Sequence, residues 1–290
     1  MSRTLVAGLT ALVLTACASA DTSSSESSAD GQEVTVMAAF YPLQFAAEQV
    51  GGDAVTVVGL TPAGAEPHDV ELSPQQVAEL GEADLILYIK GFQPAVDQAV
   101  EQVGADRAVD VSAGIPLIGN DPHIWLDPQN MVTIAGTVEG KLAQVAPGGA
   151  ETFARNADDL DGQLTALDRQ WAQQTAKCSS RDLVVSHEAF GYLAARYDFT
   201  QVGISGLSPE AEPSPGKVAE VTDFVRSNDV RTIYFETLVD PKVAETVAAE
   251  TGARTAVLDP LEGLPAGSDQ NYLTVMDDNL ATVVKGQPCP

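Results

Sequence analysis

GGAETFARNADDLDGQLTALDRQWAQQTA, running from Gly148 to Ala176, is the stretch on which the fold turns. Its large apolar residues are Phe153, Leu160, Leu164, Leu167 and Trp171, with Ala157 filling the widest gap. From Phe153 through Ala157 to Trp171 the steps are 4, 3, 4, 3 and 4, which places one apolar stripe along a helix. No proline interrupts it. At 1.5 Å per residue such a helix is roughly 40 Å long, enough to run along the back of two lobes.

On either side of this helix, valine-rich apolar runs alternate with helical patterns. Residues 34–39, 54–60, 83–89 and 107–111 read as strands, and 42–50 and 74–80 as helices. Pro42 suits a first helical turn and Ser73 an N-cap. Beyond the long helix, strands are expected at 182–186, 199–204, 231–235 and 254–258. Helices are expected there at 188–197, 215–227, 241–251 and 272–284. Such alternation marks parallel sheets covered by helices. The expected fold is α/β: two lobes, each with a mostly parallel sheet flanked by helices, joined by one long rigid helix. The expected boundaries are residues 33–147 for the N-terminal lobe, 148–177 for the connecting helix and 178–290 for the C-terminal lobe. Open α/β sheets bind ligands beyond the carboxyl ends of their strands. His187 follows one such strand and Asp259 another, so the cleft between the lobes is the expected site.

The amino end points to export. Arg3 precedes an apolar run from Leu5 to Val13, and Leu14-Thr15-Ala16-Cys17 resembles a lipoprotein cleavage site. The run is shorter than the about 20 apolar residues a membrane span needs. Residues 1–16 are expected to be a signal peptide and Cys17 the lipidated residue. Residues 17–32 hold no large apolar side chain and read as a disordered tether. With Cys17 set aside, Cys178 and Cys289 remain, and outside the cytoplasm such a pair is expected to form a disulfide. The net charge of -26 excludes nucleic acid as a partner and argues against adhesion to anionic lipid by charge.

The chain has only three histidines, each beside turn-forming or strand-end residues. His68 lies in Gly64-Ala65-Glu66-Pro67-His68-Asp69, His123 in Asp121-Pro122-His123-Ile124-Trp125-Leu126-Asp127-Pro128, and His187 in Ser186-His187-Glu188-Ala189-Phe190. Neutral imidazole is the commonest zinc ligand and serves other transition metals too. Taken singly, each has an ordinary alternative: an exposed loop residue for His68, or a hydrogen-bonded core residue for His187. Asp127 in turn has an alternative as N-cap of a helix starting at Pro128.

These segments closely resemble the cluster A-I solute-binding proteins, the zinc- and manganese-binding lipoproteins of bacterial ABC uptake transporters. Tyr234-Phe235-Glu236 and Val257-Leu258-Asp259-Pro260-Leu261 resemble late strands of that family in order and spacing. The resemblance implies a metal in the interlobe cleft held by His68, His123 and His187, with Asp259 as the fourth ligand. It implies an ABC permease as partner and a monomer anchored by lipid to the outer face of the cytoplasmic membrane. A histidine at 187, where manganese members tend to carry Glu, implies Zn2+ as the transported ion, with Mn2+ or iron as the alternative. Glu66, Asp69, Asp127, Glu188 and Glu236 are candidates to orient the imidazoles, Glu66 and Glu236 first among them. The His-rich loop of many zinc members is absent, since residues 115–120 lead straight into Asp121. Two other classes remain to be weighed. A zinc hydrolase would use Glu236 or Glu188 as base but needs an open fourth position, which Asp259 would close. A surface adhesin would find no repeat in the chain to support it.

Overall fold

The computed structural model describes residues 34–104 and 106–289. The expected signal peptide (1–16), the tether (17–32) and Cys17 lie outside the described residues.

The first lobe is built from β1 (Val34–Ala38), α1 (Tyr41–Gly51), β2 (Val55–Gly59), α2 (Pro74–Glu82), β3 (Leu85–Tyr88), α3 (Pro94–Val103) and β4 (Ala108–Asp110). Its strands form one parallel sheet in the order β2-β1-β3-β4. Then come α4 (Pro128–Val145) and the long helix α5 (Ala150–Thr175). The second lobe comprises β5 (Asp182–Val185), α6 (Gly191–Tyr197), β6 (Thr200–Gly203), α7 (Pro215–Ser227), β7 (Thr232–Phe235), α8 (Lys242–Thr251), β8 (Arg254–Val257) and α9 (Tyr272–Gly286). Its sheet is also wholly parallel, in the equivalent order β6-β5-β7-β8.

Local chemistry accounts for the element starts. Ser73 and Gln76 form a capping box at α2, and Asn271 and Thr274 another at α9. Asp127 accepts from the Gln129 amide at α4, and Pro42, Pro74, Pro94, Pro128 and Pro215 occupy first-turn positions whose N–H would otherwise be unpaired. The central strands β1 and β3 are almost wholly buried, as a parallel sheet covered on both faces requires.

The apolar stripe of α5 is buried from Phe153 to Trp171, and it rests on α1 and α4 of the first lobe and on α9 of the second. One 26-residue helix thus braces both lobes. Helices α3 and α4 were not expected as full elements. In α4, Met131, Ile134, Ala135, Val138 and Leu142 do repeat at helical spacing, but Gly136, Gly140 and two threonines dilute the pattern. The helix expected at 188–197 starts only at Gly191, because residues 187–190 form the loop that carries His187.

The Cys178–Cys289 disulfide is present and closes a separation of 111 residues. It joins the tail after α9 to the start of the second lobe, where the Ser179 amide also donates to the Pro288 carbonyl at 3.1 Å. Among the described residues no helix is long and apolar enough to cross a membrane. Cys289→Ser is expected to cost about 2–4 kcal/mol of stability. Denaturant titration of the two proteins would show this as a lowered midpoint, and an unchanged midpoint would contradict it.

Candidate metal centre

Both sheets aim the carboxyl ends of their strands at the interlobe cleft, and the loops beyond those ends carry the site. Its floor is aromatic. Phe40 packs edge-on against both Phe92 and Trp125, with centroids 4.7 Å apart in each case. Trp125 crosses between the lobes: its Nε1 donates to the Pro260 carbonyl at 2.7 Å, and Tyr272 Oη donates to the Trp125 carbonyl at 2.6 Å. Buried aromatics whose polar ends are all paired hold the loops above them in one arrangement.

His68 sits in the turn-rich loop after β2. Phe92 packs edge-to-face with its ring, centroids 4.6 Å apart, and Gln93 Nε2 donates to the preceding carbonyl of Pro67 at 3.2 Å. His123 lies after β4 and is fully buried. Its amide and its Nδ1 both meet Asp121 Oδ1, at 2.9 and 2.7 Å. His187 lies after β5, also fully buried, with Nδ1 2.8 Å from Glu236 Oε1, an oxygen that Ser186 Oγ approaches to 2.6 Å. A carboxylate on Nδ1 fixes the ring so that Nε2 faces inward as the ligand atom.

The three Nε2 atoms converge on Glu262. Its Oε1 is 3.3 Å from His68, 3.0 Å from His123 and 3.1 Å from His187. His123 Nε2 and His68 Nε2 are 3.4 Å apart. The four ligand atoms lie within 4.8 Å of one another.

Asp259, expected as the fourth ligand, stands outside this group. Its Oδ2 accepts from Thr237 Oγ1 at 2.6 Å and its Oδ1 from the Leu261 amide at 2.7 Å. Leu261 has φ +58°, and this left-handed residue turns the chain so that Glu262 points into the cleft. Asp259 thus props the turn that presents Glu262. Of the other expected acids, Glu236 holds His187, while Glu66 Oε1 accepts from the His68 amide at 3.1 Å. Asp127 is the N-cap of α4. Asp121 and Glu262 were missed. Asp121 was legible in principle, two residues before His123 in an Asp-Pro-His turn; nothing in the sequence marked Glu262.

The electrostatics follow from burial and pairing. Burial alone would lower the His187 pKa, but hydrogen bonds to Glu236 and Glu262 reverse that and push it up to about 10. His123 is raised in the same way by Asp121 and Glu262 against the opposing effect of burial. For Glu262 burial acts upward, yet the three imidazoles hold its carboxyl well below the usual range. Burial, then the Glu262 charge, raises Glu66 to about 8.

Two parallel-sheet lobes, one bracing helix and a buried centre of three imidazoles and a carboxylate between them define a two-lobed metal-binding protein. Over residues 36–286 the chain matches the family described as ZnuA, zinc-uptake complex component A periplasmic, and it belongs to that family. It is 34% identical to the zinc-binding lipoprotein AdcA of Streptococcus pneumoniae over 95% of this chain and 59% of the relative, so it spans about three fifths of that protein's length. It is 32% identical to the high-affinity zinc uptake system protein ZnuA of Bacillus subtilis, over 93% of this chain and 92% of the relative. The crystal structure of the Zn(II)-bound ZnuA-like domain of AdcA superposes with a TM-score of 0.79 at 32% identity, covering 89% of this chain and 100% of that one. Laminin-binding protein Lmb of Streptococcus agalactiae, described as having adhesin and metal-transporting activity, gives 0.81 at 31% identity over 87% and 99% of the two chains. Members of this family are zinc-binding receptors rather than enzymes.

Glu262→Gln is expected to weaken divalent-metal affinity by more than about 100-fold, whereas Asp259→Asn and Glu236→Gln, which touch the ligands' supports, should each cost about 10- to 100-fold. Competitive titration against a chromophoric chelator measures all three. An Asp259→Asn loss exceeding that of Glu262→Gln would return the fourth ligand to Asp259.

Proposed function

We propose that this chain is an extracytoplasmic receptor that captures Zn2+ between its lobes and delivers it to a membrane ABC permease for import. His68, His123 and His187 supply Nε2 and Glu262 the fourth ligand. The observation that carries this reading is the convergence of those atoms: Glu262 Oε1 lies 3.0 to 3.3 Å from the three Nε2 atoms, His68 and His123 Nε2 are 3.4 Å apart, and all four lie within 4.8 Å of one another. A tetrahedron with zinc–ligand arms near 2.0–2.1 Å has edges of about 3.3–3.4 Å, so an ion fits with small adjustments. Mn2+ favours more oxygen ligands and a higher coordination number, which three imidazoles and one carboxylate do not supply.

Charge supports the same reading. Three neutral imidazoles and one carboxylate carry -1, and a divalent ion brings the centre to +1, with Asp121 and Glu236 close enough to offset the remainder. Four protein ligands also close the position that a hydrolase would keep for water. In the proposed arrangement residues 33–147 and 178–290 are the two lobes, 148–177 the brace, and lipidated Cys17 with its tether keeps a monomeric receptor near its permease. Because α5 spans both lobes, capture and release call for local loop movement more than wide closure.

Elemental analysis of the purified protein, then titration of its metal-free form with Zn2+ and Mn2+, tests the proposal. One zinc per chain that manganese does not displace is expected. Preference for manganese would keep the receptor and change its cargo, and the absence of tight metal would refute the reading.

The raised His123 and His187 pKa values add a sign. With His187 pushed up to about 10 and His123 raised as well, ring protons compete with Zn2+ and are released when it binds. Affinity is therefore expected to fall as pH falls, about tenfold per unit for each proton displaced. Calorimetry at pH 7 in buffers of different ionisation enthalpy should register proton release, and heats independent of buffer would contradict it.

A further inference from the structure

The helix that follows His187 grips the loop that carries His123. Helix α6 begins at Gly191, four residues after His187, and ends at Tyr197. At its start Tyr192 Oη donates to the Asp121 carbonyl at 3.2 Å and accepts from the Ile118 amide at 3.0 Å. At its end Arg196 lies 3.8 Å from Asp127 Oδ1. Asp121 and Asp127 bracket His123, and Asp121 is the carboxylate that orients its ring. One short helix of the second lobe therefore touches both ends of a ligand loop of the first.

Two features set this apart from ordinary helix packing. A Cβ at Gly191 would collide with Asp121 Oδ2, so the glycine lets the helix start lie directly against the ring-orienting carboxylate. Arg196 also makes a two-pronged ion pair with Asp168 of α5, Nε to Oδ1 at 2.8 Å and the terminal nitrogen to Oδ2 at 2.7 Å. Tyr197 Oη adds a third bond to the same Asp168 Oδ1 at 3.1 Å. Asp168 is buried, and Trp171 one turn further along α5 stacks on Tyr197 at 5.2 Å. A planar guanidinium held by two parallel bonds has little freedom to swing, so α6 is anchored on the brace while it holds the loop.

We propose that α6 fixes His123 relative to His187, with Gly191, Tyr192 and Arg196 as positioning residues that touch no ligand atom. The two fully buried histidines then form one preset half of the centre. The inference rests on the zinc-receptor reading for its consequence and on the contacts of α6 for its substance, so the two can fail separately.

The test uses Tyr192→Phe, which removes a single hydroxyl, together with Arg196→Met, Arg196→Lys and Gly191→Ala. Two readouts are needed: the NMR signals of the His123 ring in the metal-free protein, and the visible spectrum of the Co2+ form alongside the rate of Zn2+ loss. Tyr192→Phe and Arg196→Met are expected to shift the His123 signals, alter the Co2+ bands and speed zinc loss about tenfold. Arg196→Lys, which keeps the charge but not the fork, is expected to fall between wild type and Arg196→Met. Unchanged His123 signals would overturn the inference, and so would a Co2+ spectrum and zinc off-rate equal to wild type. A wild-type protein that takes up no Co2+ would instead refute the receptor reading, and the His123 signals would then decide this one alone.

Discussion

Turning three imidazoles toward one carboxylate in a buried place is unfavourable unless something positive sits among them. Protons on the rings answer part of that need: hydrogen bonds to Glu236 and Glu262 push His187 up to about 10, and the imidazoles hold Glu262 well below the usual carboxylate range. A metal ion can replace those protons because the nitrogens are already aimed inward. The aim comes from the far side of each buried ring, where Asp121 and Glu236 take Nδ1. Much of the surrounding architecture keeps those two carboxylates where they are.

That architecture joins the lobes at several levels. Trp125 and Tyr272 tie the loop of one lobe to the last helix of the other through paired polar ends. Below them α5 buries one stripe against helices from both sides. Burying each large aliphatic side chain of that stripe contributes about 1.5–3 kcal/mol, so displacing the helix as a unit would cost far more than the movement of a surface loop. The cleft is a fixed seam with two lips. The lips differ: the His68 ring rests on Phe92 with its loop held through Pro67, whereas Glu262 stands on a left-handed turn braced by Asp259.

The fold was legible because α5 repeats its pattern over many turns and the central strands β1 and β3 are almost wholly apolar. The histidines were legible because there are three in 290 residues, all at strand ends or in turns. Glu262 was not, since 41 acidic residues make any one carboxylate anonymous and the positive φ of Leu261 leaves no mark in the sequence. The family resemblance led to Asp259, whose oxygens the turn itself consumes. The start of α6 was misread for a related reason. Residues 188–190 have adequate helix propensity, but the Ala189 amide bonds back to the His187 carbonyl and the Phe190 amide is taken by Gln201. Tertiary partners there outweigh local preference.

The wholly parallel sheets have one more consequence. Every ligand loop follows the carboxyl end of a strand, so the opposite ends of the strands face away from the ion. The described chain enters at the amino end of β1, and its tail is fastened by Gln287 to the Asp182 carbonyl and by Cys289 to Cys178, at the amino end of β5. Both ends of the described chain thus lie a strand's length, about 13–17 Å, behind the cleft. A fusion partner, a fluorophore or a solid support attached to the tail beside Cys289 would leave the mouth unobstructed, which makes the scaffold suited to use as an immobilised metal sensor.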